Sequence, residues 1–427
     1  MKKGLIFLLT ATLIGASLAG CGGKTNNNET ESEATEEVET YEQAPNQAVV
    51  NNPYKEAPSY VLAEGASTDE MREMAIQAMH DELSVKWTPT QHFEYNKSGS
   101  VSEKDYIFEP TVVYAGLPYT TSASGLFQWL EYYDYTNGNF HDAPFGRIEG
   151  SLGNSCSASC SWGLAAVCPS LGNADSTFRF TKRSNMFPLG EVDYADTITN
   201  FKDYTTRQIC TDNGQQKVLE GYALLKKADI VIAAGDGTDA HGMMAIEDAT
   251  VVRKADGTIN MEESYVMMQD QRANEKIYDE DDQKVSYRGR VEAKILFTEL
   301  WNGAYIALTP KEFRDNATYV PATCTCDKEA TDLKSLTGLY IDSNYRLAVI
   351  KMAITDENGK AIYKITDTTG NPEIQDNTVH RYSLRALFNP SVAKRDLVSG
   401  QKYKVTITTV VATGQEFTPI EFEFTAE

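Results

Sequence analysis

The sequence predicts an α+β domain followed by an all-β region. Between residues 93 and 308, short helical segments mix with strand-like runs, which is typical of α+β folds. From Leu333 onward, strand follows strand, as in "YRLAVIKMAIT" and "QKYKVTITTVVA". We therefore place the α+β domain, with its N-terminal helix, at 59–315, a linker at 316–330 and a β-sandwich at 331–427.

The first twenty residues are typical of a secretory signal peptide. Two lysines precede the apolar run "GLIFLLTATLIGASLAG", which is too short for an ordinary membrane span. The following "LAGC", continued by "GG", resembles the bacterial lipobox, in which the cysteine is diacylated and becomes the mature N-terminus. Residues 1–20 are then removed, and lipidated Cys21 holds the protein on the outer face of the bacterial cell membrane. A soluble secreted protein is the alternative.

Residues 21–58 are predicted to form a disordered acidic tether. Their polar, acidic composition cannot bury enough apolar surface to offset chain entropy. The whole chain carries 39 Lys and Arg against 61 Asp and Glu, a net charge of -22. Because an acidic surface repels nucleic acid, we expect no nucleic-acid partner.

An N-terminal docking helix is predicted after Ser67. Ser67 and Glu70 form an S-x-x-E capping box at the start of "MREMAIQAMHDELSVKW". The apolar side chains that roughly mark one face of this helix are Met71, Met74, Ala75, Ala78 and Leu83.

The aromatic segment "FQWLEYYDYTNGNF" follows further along the α+β domain. Such a cluster suits core packing, and a substrate-lining role is the alternative.

The all-β region carries two sequence signals of an immunoglobulin-like sandwich. Asn358-Gly359 separates two predicted strands and indicates a hairpin turn, because both residues tolerate positive φ. "LVSGQKYKVTI" looks like the start of a penultimate strand, with Tyr403 placed like a tyrosine corner. Nothing in this region suggests catalysis.

Cys156 is the candidate nucleophile. It opens a small-residue segment, "SASCSWGLAAV", that suits a helix. If Asn154 or Ser155 caps this helix, the thiol lies in the first turn, where free amides and the helix dipole stabilise a thiolate. The same amides, with Ser155, are candidates to contact substrate or an oxyanion. Cys160 and Cys168 are expected in the core, and a Cys156–Cys160 disulfide is a competing arrangement that helical spacing makes awkward.

His241 is the candidate base, because it begins a predicted strand after "KKADIVIAAG" and the loop "DGTDA". It would take the thiol proton and later protonate the leaving amine. At the end of the strand "SYVMMQDQ", Asp270 and Gln271 are both candidates to orient the imidazole. The remaining histidines are His80, His92, His141 and His380.

The segment "GDGTDAHG" has two further interpretations. Its glycine spacing is wrong for a phosphate loop, and the residues after it are strand-like. Asp236, Asp239 and His241 would need a fourth ligand and supporting partners to hold a metal. We therefore expect neither a metal nor a cofactor.

Four segments together resemble the NlpC-like cysteine peptidases of bacterial cell walls and the related CHAP amidases. They are "YAGLPYTTSASG", "GNSCSAS", "GYALLKKADIVIAAGDGTDAHGMMAIED" and "DGTINMEESYVMMQDQ", spanning about 110–272. These families have circularly permuted papain-type folds with a Gly-x-Pro-Tyr element, an Asp-Cys-Ser-Gly box, a Leu-x-x-Gly-Asp strand and a Gly-His strand. The resemblance implies a papain-like cysteine hydrolase domain.

The resemblance also implies a role for each matched residue. Cys156 corresponds to the nucleophile, His241 to the base, and Tyr119 to the tyrosine that flanks the nucleophile. The Glu-Gln-Asn ending of CHAP enzymes orients their histidine, which suggests Asp270 here, with Gln271 second.

The chain departs from the family pattern in several places. Ala158 stands where the family has glycine after the serine, and Ala228 stands where glycine precedes the structural strand aspartate, here Asp229. About 36 residues separate the Pro-Tyr element from the nucleophile, more than these families usually have. An insertion there would reshape the substrate groove.

The sequence thus predicts a membrane-anchored cysteine hydrolase that cleaves an amide or peptide bond through a Cys156 thioester. Peptidoglycan stem peptides are the expected substrate. The alternative is a non-catalytic surface lipoprotein whose papain-like domain binds cell wall or glycan.

Overall fold

A computed structural model describes most of the chain beyond residue 53. The described residues are 54–95, 106–120, 123–135, 139–140, 153–172, 176–235, 240–272, 277–278, 284–285, 289–367, 373–376, 379–389 and 393–426. All of them belong to one compact unit, Val38–Glu427. The predicted signal peptide, Cys21 and the tether up to residue 53 lie outside the described residues, as do His141, Asp236 and Asp239.

The α+β class is confirmed, since helices occur together with several antiparallel sheets. The α-helices are α1 Thr68–Ser84, α2 Leu126–Leu130, α3 Cys156–Ala165, α4 Thr206–Asn213, α5 Gln215–Ala223, α6 Phe297–Asn302, α7 Lys311–Arg314 and α8 Leu384–Leu387. Single 3-10 turns lie at Thr177–Arg179, Lys182–Ser184, Ser335–Gly338 and Lys394–Asp396.

A six-stranded antiparallel sheet organises the N-terminal region. The strands of this region are β1 Lys86–Pro89, β2 Phe93–Tyr95, β3 Tyr106–Phe108, β4 Tyr114–Ala115, β5 Tyr133–Asp134, β6 Asn139–Phe140, β7 Met186–Pro188, β8 Ile230–Ala233, β9 His241–Ala245, β10 Tyr265–Gln271, β11 Ile277–Tyr278, β12 Lys284–Val285, β13 Gly289–Leu296 and β14 Ile306–Pro310. The large sheet has the order β13-β10-β9-β8-β14-β7. A smaller sheet has the order β4-β1-β6-β5, and β2-β3 and β11-β12 are separate pairs.

Helix α1 begins with the predicted capping box. The Glu70 amide donates to Ser67 Oγ, and the Ser67 amide donates to Glu70 Oε2 at 2.8 Å, so two amides of the helix start are satisfied. The predicted apolar face is buried at Met71, Ala75 and Leu83, and Met74 is half-buried. Through this face, α1 packs against α3 and against strands β10 and β13.

Helix α3 is buried along its whole length, between α1 and strands β9 and β10. The crossing of α1 and α3 is close at Gly163, where a Cβ atom would lie 2.8 Å from Met79 Cβ. A larger residue there would push the two helices apart. The small residues of α3 therefore let it lie between a helix and a sheet.

The aromatic segment contributes to the core. Phe127, Trp129 and Tyr133 are buried, and the rings of Trp129 and Trp87 pack edge to face with centroids 4.9 Å apart. These side chains pack inside the protein. Tyr54, at the end of the predicted tether, lies edge-on to Tyr133 with centroids 6.4 Å apart.

The C-terminal region consists of two four-stranded antiparallel sheets. Its strands are β15 Cys324–Cys326, β16 Tyr340–Ser343, β17 Leu347–Asp356, β18 Ala361–Asp367, β19 Glu373–Asp376, β20 Val379–Ser383, β21 Lys402–Val411 and β22 Glu416–Thr425. The sheet orders are β15-β16-β20-β19 and β18-β17-β21-β22. Strand β15 falls within the segment 316–330, where the sequence predicted a linker.

Two turns of the C-terminal region carry the signals that the sequence predicted. The hairpin at Asn358-Gly359 is confirmed between β17 and β18, although only Gly359, at φ 78°, has a positive φ. The Tyr403 hydroxyl accepts a hydrogen bond of 2.9 Å from the Val398 amide and donates to Gln401 Oε1 at 3.1 Å. These two hydrogen bonds tie Tyr403, in β21, to the residues that precede the strand.

The N-terminal and C-terminal regions make buried polar contacts. The Arg346 guanidinium lies 3.8 Å from the centre of the Trp162 ring in α3 and donates to Ser161 Oγ at 3.4 Å. His380 Nε2 lies 2.8 Å from the carbonyl oxygen of Pro169. The helix that begins with Cys156 therefore packs against both regions.

Candidate functional site

The chain enters α3 through a tightly held segment at Gly153 and Asn154. The Asn154 amide donates to Pro118 O at 3.1 Å, and Asn154 O accepts from the Thr120 amide at 3.0 Å. Gly153 has φ 134°, and a Cβ atom there would lie 2.4 Å from Pro118 O. Because only glycine fits this conformation and this spacing, Gly153 fixes where α3 starts.

Ser155 is the N-cap of α3, which decides between the two predicted capping residues. Its Oγ accepts from the Ala158 amide at 3.4 Å and lies 3.2 Å from Ser157 Oγ. Cys156 is then the first helical residue. Its thiol lies where unpaired amides and the helix dipole favour negative charge.

The Cys156 thiol faces the start of β9. Its Sγ lies 4.0 Å from Ala240 O, and Gly242 lies against the backbone of Cys156 and Ser157. Burial disfavours the thiolate, but the charge and hydrogen bond of His241 outweigh burial, with help from the Gly242 and Ser157 amides. The pKa of Cys156 is therefore lowered.

His241 lies between the thiol and a carboxylate. Its Nε2 is 2.6 Å from Asp270 Oδ2, so Nδ1 is the ring nitrogen left for Cys156. Burial lowers the pKa of His241, but the Cys156 charge and the Asp270 hydrogen bond raise it to about 9. The opposite shifts of the two groups favour a thiolate–imidazolium pair.

Asp270 is buried and surrounded by cationic groups. Arg290 binds it with both Nε, at 2.7 Å to Oδ1, and Nη2, at 2.8 Å to Oδ2. Arg272 Nε donates to Oδ2 at 2.9 Å. Burial raises the pKa of Asp270, but the hydrogen bonds and charges of His241 and Arg290 hold it well below its usual value. Asp270 therefore accepts hydrogen bonds as a carboxylate, and His241 Nε2 is the donor.

Gln271, the other candidate for orienting His241, points elsewhere. Its Nε2 donates to Leu117 O at 2.7 Å and to Asn154 Oδ1 at 3.1 Å. It thus supports the segment before Cys156, whereas Asp270 contacts the imidazole. Tyr119 is half-buried, and its backbone forms a parallel bridge with Asn154, which places it beside the start of α3.

A second buried carboxyl group, Glu82 of α1, lies on the other side of this segment. Its oxygens accept from Asn154 Nδ2 at 2.7 Å, Ser159 Oγ at 2.9 Å and the Leu126 amide at 3.2 Å. Burial raises the pKa of Glu82 to about 8, against these hydrogen bonds and the charge of Arg346. Glu82 therefore links α1 to both ends of the first turn of α3.

The other cysteines differ from Cys156 in their surroundings. The six cysteines of the described residues are all free, so Cys156 and Cys160 form no disulfide. Burial raises the pKa of Cys160 and of Cys168 well above the usual value. Among the described residues, no group of three or more His, Cys, Asp or Glu side chains is arranged to hold a metal ion.

The fold and the site together define an α+β protein with a buried Cys–His–Asp cluster at the meeting point of a helix N-terminus and two antiparallel strands. Comparison with family models, curated proteins and solved structures found no significant match to this chain. In the part of the chain that the structure describes, no helix has the length and apolar character needed to cross a bilayer.

Three site residues were missed or undervalued from sequence. Arg290 lies directly opposite Asp270 on β13, so a predicted β10–β13 pairing with the right register would have found it. Asn154 was predicted only as a possible N-cap of α3, whereas its side chain bonds to Glu82 and Gln271. Glu82 carries no sequence signal beyond its place in an amphipathic helix, because its partners are 44 or more positions away.

Proposed function

We propose that the protein is a cysteine hydrolase that cleaves an amide or peptide bond through a thioester on Cys156. The observation that carries this proposal is the hydrogen bond of 2.6 Å from His241 Nε2 to the Asp270 carboxylate, which leaves Nδ1 for the thiol. The lowered pKa of Cys156 and the raised pKa of His241 are what such a nucleophile and base require.

In the proposed reaction, the Cys156 thiolate attacks the carbonyl carbon of the substrate amide, and the C=O π electrons move to oxygen. The resulting tetrahedral intermediate collapses, the C–N bond breaks, and protonated His241 gives its Nδ1 proton to the leaving amine. A water molecule then attacks the thioester while neutral His241 removes its proton. Breaking of the C–S bond then releases a carboxylic acid and regenerates the pair of Cys156 thiolate and protonated His241.

The oxyanion of each intermediate would lie at the first turn of α3. Amides at a helix start have no intrahelical acceptor, and the helix dipole adds positive potential there. The Ser155 side chain is occupied in capping, so its proposed contribution is to hold these amides in place. Tyr119, beside the segment before Cys156, is proposed to contact the substrate.

The same proposal extends to the fold. Residues 59–315 would form a papain-like domain, since the nucleophile helix precedes two antiparallel strands that carry the histidine and the aspartate. The circular permutation is proposed from the resemblance of the sequence to the NlpC-like and CHAP families. Residues 331–427 would form an immunoglobulin-like sandwich. The hydrogen bond from the Val398 amide to the Tyr403 hydroxyl supports this, since a tyrosine corner has this geometry.

We place the substrate in the cell wall. The support is the resemblance of four segments to cell-wall peptidases and of the N-terminal residues to a lipobox. A diacylated Cys21 would keep the hydrolase at the outer face of the membrane, within reach of peptidoglycan stem peptides.

Digestion of purified peptidoglycan tests this function. The full chain is compared with Cys156→Ala and with Cys160→Ala, a matched substitution one helical turn away, and new fragment ends are measured by mass spectrometry. We expect the parent and Cys160→Ala to release fragments, and Cys156→Ala to be at least about 1,000-fold slower.

Equal release by Cys156→Ala would contradict the nucleophile assignment. No release by any form, together with cosedimentation of the full chain with peptidoglycan, would contradict the hydrolase and support the non-catalytic binding protein.

A further inference from the structure

A polar cavity lies between the two regions, lined by residues from the segments 170–172, 179–185 and 199–200 and by His380 of β20. Its volume is about 330 Å³, within the range of about 300–1,000 Å³ typical of small-molecule sites. The described lining residues are Ser, Thr, Asn, Gly, Arg and His, and none of them is Asp or Glu. The charged groups of this lining are thus cationic, although the whole chain carries a net charge of -22.

One wall of the cavity contains a buried hydroxyl group without a hydrogen-bond partner. Thr181 is fully buried, and its Oγ1 bonds to no other atom of the described residues. Buried polar atoms are nearly always paired, and an unpaired one destabilises the fold. A ligand hydroxyl group in the cavity would give Thr181 its missing partner.

The surrounding polar groups are held in fixed positions. Asn185 Nδ2 donates to Ser170 O at 2.9 Å, and Ser170 Oγ donates to Glu312 Oε2 at 2.9 Å. His380 is fixed by its contact with Pro169 O. These bonds hold the wall of the cavity in place before any ligand binds, which lowers the entropy cost of binding.

Positive charge is concentrated at the mouth of the cavity. Arg179 and Arg183 are exposed lining residues. Arg183 Nε lies 3.4 Å from Asp196 O, and within the described residues its guanidinium pairs with no carboxylate. The neighbouring Lys182, by contrast, is neutralised by two aspartates. The guanidinium of Arg183 is therefore suited to a planar or tetrahedral oxyanion.

We propose that this cavity binds an anionic sugar, with the oxyanion at Arg183 and the hydroxylated body against Thr181 and Asn185. The oxyanion can be the carboxylate of a sugar acid or the phosphate of a sugar phosphate, since both present oxygens to guanidinium in the same way. The proposal stands on the cavity alone and does not depend on the hydrolase.

Titration calorimetry on the full chain tests the site with four probes: glucuronate, glucose 6-phosphate, glucose and inorganic phosphate. At least one anionic sugar should bind with Kd below about 1 mM, and glucose and inorganic phosphate should bind at least about tenfold more weakly. Whether glucuronate or glucose 6-phosphate binds more tightly distinguishes the carboxylate from the phosphate.

Two variants and one control locate the binding. Arg183→Gln should raise the Kd of the anionic sugar at least about tenfold, and Thr181→Val should raise it severalfold without lowering the melting temperature. Arg207→Gln, an exposed arginine of α4 outside the cavity lining, should leave it unchanged.

Several results would overturn the proposal. No binding of any probe at about 10 mM would exclude the site. Equal affinity for inorganic phosphate and glucose 6-phosphate would show that the site binds an oxyanion without recognising the sugar. Equal affinity for glucose and glucuronate would exclude the role of Arg183. Binding that survives both variants would place the ligand elsewhere.

Discussion

Two buried carboxyl groups lie on either side of the segment that leads into Cys156, and they are in opposite states. Asp270 lies on the strand side, and its pKa is held well below the usual value. Glu82 lies on the helix side, and burial raises its pKa to about 8. Both side chains are almost completely excluded from solvent. Burial alone therefore does not set the charge of a carboxyl group in this protein.

The partners of the two groups explain the difference. Asp270 receives hydrogen bonds from His241, Arg272 and Arg290, which are or can be cations. Glu82 receives hydrogen bonds from an amide group, a side-chain amide and a hydroxyl group, all neutral. Cationic donors compensate the loss of hydration, whereas neutral donors compensate it only in part. Asp270 is thus suited to stabilise an imidazolium, and Glu82 to hold the backbone.

Asp270→Asn gives the largest expected effect. The amide cannot compensate a positive charge on His241 and can present the wrong hydrogen-bonding group to it, so the rate of the proposed peptidoglycan cleavage should fall by about 1,000-fold or more. Glu82→Gln should lower the rate by about tenfold or less. Similar losses in the two variants, measured by fragment release, would break the distinction between a charge-stabilising and a backbone-holding carboxyl group.

The reactivity of Cys156 separates the two groups without any substrate. With Asp270 in place, the lowered pKa should keep Cys156 reactive toward iodoacetamide at a pH below its usual pKa of 9.0. Asp270→Asn should slow alkylation at that pH by about tenfold for each unit that the pKa of the thiol rises. Glu82→Gln should leave the pH dependence of alkylation unchanged. The measurement is mass spectrometry of the peptide that contains Cys156.

Above about pH 9, His241 loses its proton, so the rate of the proposed cleavage should fall in alkaline solution. A constant rate between pH 8 and 10 would contradict the role of His241 as the acid that protonates the leaving amine.

Arg290→Gln should have a smaller effect, about tenfold on cleavage, because Arg272 still donates to Asp270. Arg290→Lys should recover only part of the lost cleavage rate, since an ammonium group cannot reproduce the two-pronged contact. Arg253→Gln is the matched control, because Arg253 forms a similar two-pronged pair with Glu220 at the surface. An unchanged rate in Arg290→Gln would show that Asp270 keeps its orientation without Arg290.

The last expected effect is on stability and not on the rate of cleavage. The pKa of Glu82 in the folded protein lies above its usual value of 4.5. Protonation of Glu82 therefore stabilises the folded state, and this contribution is complete below about pH 4.5. This contribution is lost as pH rises through about 8, at most about 1.4 kcal/mol per pH unit. The free energy of unfolding of the parent should thus decrease relative to that of Glu82→Gln between pH 5 and 8. Parallel denaturation curves would refute the raised pKa.

Sequence reasoning found the parts of this site that local chemistry determines. A serine before a small-residue segment indicated the start of α3, and a histidine after a loop indicated the start of β9. Residue spacing left Asp270 and Gln271 open, and only the family resemblance ranked Asp270 first. The reason for the difference lies in the three-dimensional structure, because the β10–β13 register shifts between Met268 and Asp270 and brings Asp270 opposite Arg290. Such an irregularity leaves no clear trace in residue spacing.

The departure from the family pattern at Ala228 has a structural cost. Ala228 has φ 61°, in the left-handed region, where a Cβ atom is disfavoured by about 1–2 kcal/mol. The glycine that the resembling families have at this position would avoid that strain. Asp229 after it is buried and pairs with Arg72 of α1 at 2.8 Å, which accounts for its structural role.

The contact of Arg346 with α3 has a consequence for the order in which the protein matures. Arg346 follows its partner Ser161 by 185 residues, and ribosomes make chains from the N-terminus. Helix α3 therefore emerges long before the guanidinium that lies on its Trp162 ring. The helix that begins with Cys156 therefore reaches its final packing only after Arg346, in the C-terminal region, has been synthesised. Synthesis of strands that carry no proposed chemistry thus sets the earliest time at which the thiol acquires its complete surroundings.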